Sequence, residues 1–188
     1  MPKTFPINTD HFLNRLPLQQ QTDAVNIDPY HRLHETFVLG NVEELHYLFN
    51  AFCKAAMRED YVWKKGSPGN CLFIAEEIEA VIESCYLIYV CQKEGKIPVQ
   101  QDTTCSSNVR WSTRLTEAEW CNPVMVLQKF FAYQRLASWK VSLHYWLEAA
   151  LSPHSVTTSV DPKEVLPFCK HVQKLLEAAQ LIAGRFAK

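Results

Sequence analysis

Glycine is scarce, at five residues in 188, so left-handed turns are few, and no glycine-rich phosphate cradle of the G-x-x-x-x-G-K kind occurs. A G-x-S-x-G nucleophile elbow is also missing. Lysine and arginine total 19 but never gather into a block, the nearest groups being Lys64 with Lys65 and Lys170 with Lys174. Nucleic-acid binding needs a basic stripe to displace counterions from phosphates, so nucleic acid is not an expected partner. No uncharged apolar run approaches the roughly 18 residues of a membrane span. The most apolar window, 78–91, carries Glu79 and Glu83. The first residues, Met1 to Asn8, have no apolar run that could serve as a secretory core. The expectation is a soluble cytoplasmic chain with no membrane contact.

Seven cysteines, an odd number, contain no C-x-x-C pair: Cys53, Cys71, Cys85, Cys91, Cys105, Cys121 and Cys169. Several fall within apolar helical patterns, which predicts reduced, buried thiols behaving as small hydrophobes. What the chain does have is bulk, with ten phenylalanines and five tryptophans. At 188 residues it is long enough to bury one core without staples, which predicts a single domain over 1–188.

The chain also resembles itself. At an offset of 94 positions, Thr22 to Ile88 overlies Thr116 to Ile182 without a gap. About thirteen positions are identical, well above what shared composition gives, among them Leu33 with Leu127, Phe37 with Phe131, Ala55-Ala56 with Ala149-Ala150, and Glu83 with Glu177. A period this long is not a solenoid repeat, so it reads as a tandem duplication of units 22–93 and 116–186.

The repeated punctuation places the helices. Asp28-Pro29, Ser67-Pro68, Asn122-Pro123 and Asp161-Pro162 each put a capping side chain before a proline whose φ is preset for a first turn. Helices are predicted over 29–58, 68–93, 123–151 and 162–186, with Gly95 and Ser152-Pro153 as stops. Leu72, Ala75, Ile78, Val81, Ile82, Cys85, Ile88 and Tyr89 recur at spacings of three and four, as one face of a helix requires. The predicted fold is all-α: an antiparallel four-helix bundle core from a duplicated αα-hairpin, with pseudo-two-fold symmetry and irregular arms at 1–21 and 95–115.

The third helix, being the most apolar, is expected at the centre. Gly40-Asn41 predicts a kink or two abutting helices in the first, whereas Gln134-Arg135 lies inside an unbroken pattern. Pro167 predicts a preliminary turn over 161–166 before the main fourth helix. Thr116 and Glu119 have the spacing of a capping box. Val109 and Trp111 could pack the second arm across the bundle.

Candidate chemistry is sparse. Glu43 and His46 form one Glu-x-x-His pair of the kind that bundles use to hold dimetal centres. Its image at the offset is Ala137 and Lys140, so the matching half is missing. His31, Glu35 and His46 share a helical face, and Glu76, Glu79 or Glu83 could oppose them around a divalent metal, provided no break at Gly40 destroys the phase. Otherwise no cofactor is predicted. Glu83 and Glu177 keep a carboxylate in apolar surroundings in both units, which suggests either a charged pair near a pseudo-axis or two edge residues with basic partners. His144 and Glu148 stand at i and i+4 beside Tyr145 and Trp146 and could line a pocket in the second unit, or else form a plain surface pair, while Trp139 and Trp146 could flank an apolar pocket between the units.

Three functions stay open: a non-enzymatic binding or protein-interaction module, using aromatics such as Trp63, Trp111, Trp120 and Tyr133 for a protein partner or self-association; a metal-dependent enzyme at His31, Glu35, Glu43 and His46; and a sensor holding a small apolar ligand beside Trp139 and Trp146.

Overall fold

The computed structural model describes residues 5–6, 26–39, 41–59, 68–94 and 114–186. Its architecture is all-helical: α1 (Pro29–Leu39), α2 (Val42–Ala56), α3 (Gly69–Lys93), α4 (Glu117–Cys121), α5 (Val124–Tyr133), α6 (Leu136–Leu151) and α7 (Pro162–Phe186), with a 3-10 turn at Val156–Thr158. The only extended pairing among the described residues is a two-residue antiparallel ladder, Phe5–Pro6 (β1) against Asn26–Ile27 (β2). No described helix is long and apolar enough to cross a membrane. Gly40, Trp63, Lys64, Lys65, Gly95, Cys105, Val109 and Trp111 lie outside the described residues.

The long helices α3 and α7 form the centre. Ala80 to Cys85 of α3 are buried without interruption, and so are Leu175 to Ala179 of α7. Burial of consecutive residues means neighbours all round the helix, and α3 packs against α1, α2, α5, α6 and α7. The expectation that the third predicted helix sits centrally is therefore corrected. In α6 only the stripe Leu136, Trp139, Leu143, Trp146, Ala149 and Ala150 is buried, while Ala137, Val141 and Tyr145 face outward. Total hydrophobicity is a poorer guide to position than the width of the apolar arc.

The first predicted helix is two, α1 and α2. Asn41 has extended backbone and its side chain accepts from the Glu44 amide at 2.8 Å, an N-cap that restarts the helix. The third is also two, contrary to the unbroken pattern at Gln134-Arg135. Gln134 is extended at φ −141°, ψ 151°, and α6 restarts at Leu136. Neither residue is a helix breaker, and the break is held by a tertiary contact. The Trp139 ring stacks on Phe130, with centroids 4.0 Å apart, and its Nε1–H donates at 3.1 Å to the Phe130 carbonyl, which also accepts the Gln134 amide at 3.3 Å.

The preliminary turn before Pro167 is likewise corrected: α7 runs unbroken from Pro162 through Pro167. The bond that this proline forgoes would go to the carbonyl of Lys163, an exposed residue in the first turn, where water can satisfy it. Other boundaries fall as expected. The capping box at α4 is complete, with the Glu119 amide donating to Thr116 Oγ1 and the Thr116 amide to Glu119 Oε2.

The cysteine expectation holds in part. Cys53, Cys71, Cys85, Cys91 and Cys169 are free thiols, but Cys121 is disulfide-bonded.

Candidate functional site

The candidate residues separate into surface pairs, core residues and buried charges. His31 and Glu35 form an i,i+4 pair, Nε2 to Oε1 3.4 Å, on the exposed side of α1. Glu43 is exposed on α2. His46 does not join them and instead turns to α7, where its Nε2–H donates to the Gln173 carbonyl at 3.2 Å. Its Nδ1 faces the Arg114 guanidinium at 3.3 Å and accepts from it, which makes this the neutral tautomer. Burial lowers the His46 pKa in the same sense. Among the described residues no three metal-capable side chains cluster. His144 and Glu148 pair at 3.4 Å, both more than half exposed.

Trp139 and Trp146 are wholly buried in the common core. Trp146 stacks on Phe168 with centroids 4.7 Å apart, so α6 and α7 interlock through aromatic faces. The space beside the two tryptophans is only about 10 Å³, roughly one water, far too small for a metabolite.

Glu83 and Glu177 do not converge on one cavity. Glu83 of α3 meets Lys140 of α6 at 2.5 Å, and the same ammonium lies 3.0 Å from Glu79. Glu177 of α7 accepts the Arg114 amide at 2.8 Å and lies 3.4 Å from its guanidinium and 4.0 Å from His46 Nε2. A third buried carboxylate, Glu119, receives Lys129 at 2.8 Å and Lys174 at 2.9 Å. Burial alone would raise its pKa, but the two ammonium groups and the Thr116 amide prevail and hold it at about 2.

Among the described residues, a cleft of about 680 Å³ lies between α2 and α7. Met57, Val165 and Leu166 give it an apolar lining, and the Cys53 and Cys169 thiols meet within it. Lys54, Arg114, Lys170 and Lys174 supply cations, while Asn50 and Gln173 bond to each other at 2.7 Å. Lys174 and Arg114 are engaged by Glu119 and Glu177. Lys54 and Lys170 are exposed. An apolar trough with cations around it suits a molecule with a hydrocarbon body and an anionic head.

Sequence reasoning noted Lys170 and Lys174 only as a small basic group and missed the cleft. Its walls come from helices that meet only in three dimensions, so no spacing announces it. Lys140 was legible in principle: with Glu83 and Glu177 in register, a basic residue also in register at His46 and Lys140 points to their partners. Comparison of the chain with family models, curated proteins and solved structures returned no match.

Proposed function

We propose that the chain is a non-enzymatic binding module whose α2–α7 cleft takes a small anionic amphiphile. The observation that carries this is the juxtaposition of Met57, Val165 and Leu166 with Lys54 and Lys170 in one cleft of about 680 Å³. Small-ligand pockets span roughly 300–1,000 Å³ and place a few polar groups around an apolar body. The test titrates the full chain with dodecanoate and with dodecanol, following melting temperature and heat of binding. Dodecanoate should raise the melting temperature, and its affinity should exceed that of dodecanol by about tenfold, on the order of one charge-assisted contact. Lys54→Glu with Lys170→Glu should abolish that preference. Equal binding of the two probes, or none, overturns the reading.

The proposed architecture is a tandem duplication around a four-helix core, with α1–α2 and α5–α6 as equivalent broken helices and α3 and α7 as their partners. Several observations support it: α2 and α6 begin at Val42 and Leu136, 94 positions apart, and the buried runs at 81–85 and 175–179 coincide at that offset. The cleft would then lie between the halves. An experimental structure whose halves do not superpose by one rotation would remove this reading.

A second reading, protein interaction, is favoured by Leu72 and Phe73, neighbours on α3 that are each about half exposed. Tyr133 contributes less, since its hydroxyl already donates to Glu164 at 2.7 Å and its ring stacks on His171. Sedimentation across a concentration range tests self-association; a monomer throughout, unchanged by Leu72→Glu and Phe73→Glu, discards it. Metal-dependent catalysis has the least support, since His31 and His46 face different partners. A cytoplasmic location is supported by the five free thiols and opposed by the disulfide at Cys121, because reducing compartments disfavour such bonds. Thiol counting on protein from its native host decides between them.

A further inference from the structure

The pairing of Cys53 with Cys169 stands apart from the other cysteines. Cys53 belongs to α2 and Cys169 to α7, 116 positions later, yet their Sγ atoms are 3.5 Å apart at the cleft. Bond formation needs the sulfurs to close to about 2.05 Å, a shift within the reach of side-chain rotation and slight helix adjustment. The two thiols are also unequal. Cys53 is 4% exposed, and burial raises its pKa well above the ordinary thiol value. Cys169 is half-buried and opens to the cleft, where contact with the Cys53 thiol lowers its pKa. Lys170 and Lys174 line the same cleft. At the offset of 94 the corresponding residues are Leu147 and Ala75, so the thiol pair is confined to one of the two equivalent places.

We propose that Cys53 and Cys169 form a redox-active dithiol, in which Cys169 attacks a small disulfide admitted by the cleft and Cys53 resolves the product. In the first step the Cys169 thiolate bonds to one sulfur of the small disulfide, whose S–S bond breaks, and the released thiolate takes a proton from solvent. In the second step the Cys53 sulfur bonds to Cys169, the mixed disulfide breaks, and the leaving thiolate takes the proton that Cys53 gives up. Two electrons pass from the protein to the small disulfide, which becomes two thiols. The new bond ties α2 to α7. This inference does not depend on an amphiphile occupying the cleft.

The full chain is equilibrated with glutathione disulfide, then unfolded without reductant, alkylated and digested. The expected result is a peptide crosslinked between Cys53 and Cys169, with Cys71, Cys85 and Cys91 fully alkylated. The Cys53→Ala variant should accumulate one glutathione on Cys169, and Cys169→Ser should accumulate neither adduct nor crosslink. Native wild-type protein, which bypasses any folding defect in the variants, should react with iodoacetamide at Cys169 at least about tenfold faster than at Cys85. Full alkylation of both cysteines after oxidation, or equal reactivity of Cys169 and Cys85, overturns the proposal.

Discussion

Lys140 of α6 and Glu83 of α3 form an ion pair in which the carboxylate is fully buried and the ammonium nearly so, with Nζ 2.5 Å from Oε1. Each of these residues has a counterpart 94 positions away in the sequence, and there His46 of α2 faces Glu177 of α7 at 4.0 Å. Each carboxylate thus meets a basic side chain from a helix distant in sequence. The second pairing is looser, and Arg114 supplies the charge that neutral His46 does not.

Removing Lys140 should be expensive. Lys140→Met leaves Glu83 buried without that ammonium and is expected to cost about 3–5 kcal/mol, whereas Lys140→Met with Glu83→Leu should recover most of the loss, because the desolvation of both charges is then avoided. Urea unfolding of the two variants and of Glu83→Leu alone measures the coupling. A double-variant loss equal to the sum of the two single losses would show that the pair is not coupled.

Glu119 should govern stability in acid. Its folded pKa of about 2 lies below the ordinary 4.5, so its contribution is complete above pH 4.5 and is lost as pH falls toward 2. The loss is on the order of 2 kcal/mol once the partial exposure of Lys129 and Lys174 is allowed for. In Glu119→Gln the chain should be less stable at pH 7 and should show a shallower fall between pH 4.5 and 2. Parallel wild-type and variant curves would argue against this assignment.

His46 acts in a higher window. Its folded pKa is lowered from 6.5, so the unfolded chain binds the proton first, and stability should fall as pH drops below 6.5. Nitrogen NMR should find His46 neutral at pH 7 with the proton on Nε2. His46→Leu should remove its share of the slope below pH 6.5. Detection of a charged imidazolium at pH 7 would refute the tautomer.

The two buried indoles should respond differently to the same change. Trp139 Nε1 donates to the Phe130 carbonyl, while Trp146 Nε1 has no hydrogen-bond partner among the described residues. Both substitutions to Phe remove similar volume, so Trp139→Phe should cost about 1 kcal/mol more than Trp146→Phe, the worth of one hydrogen bond. The reverse order would indicate that packing differences outweigh the bond.

Helix starts were readable in the chain because they depend on neighbours in sequence. A capping side chain followed by proline marked α1 and α7, where Asp28 and Asp161 accept backbone amides, and Asn41 after Gly40 marked the restart at α2; at α5 the proline marked the start, but Asn122 makes no side-chain cap. The break at Gln134 was not readable, since it rests on an indole five residues ahead folding back over Phe130. The site divides in the same way. Glu83 and Glu177 were visible as retained carboxylates, but their partners, and the meeting of Cys53 with Cys169, come from which helices lie side by side.

The chain by itself determined an all-helical architecture, most of the helix boundaries and the apolar stripes, because backbone capping and 3.6-residue periodicity act over a few residues. Tertiary structure alone decided that α3 and α7 lie at the centre, that Lys140 neutralises Glu83, and that a cationic cleft with two thiols opens between α2 and α7. Those outcomes depend on how distant helices pack, and the energy of a buried charge or a shared cleft belongs to the pair of surfaces and to neither segment alone.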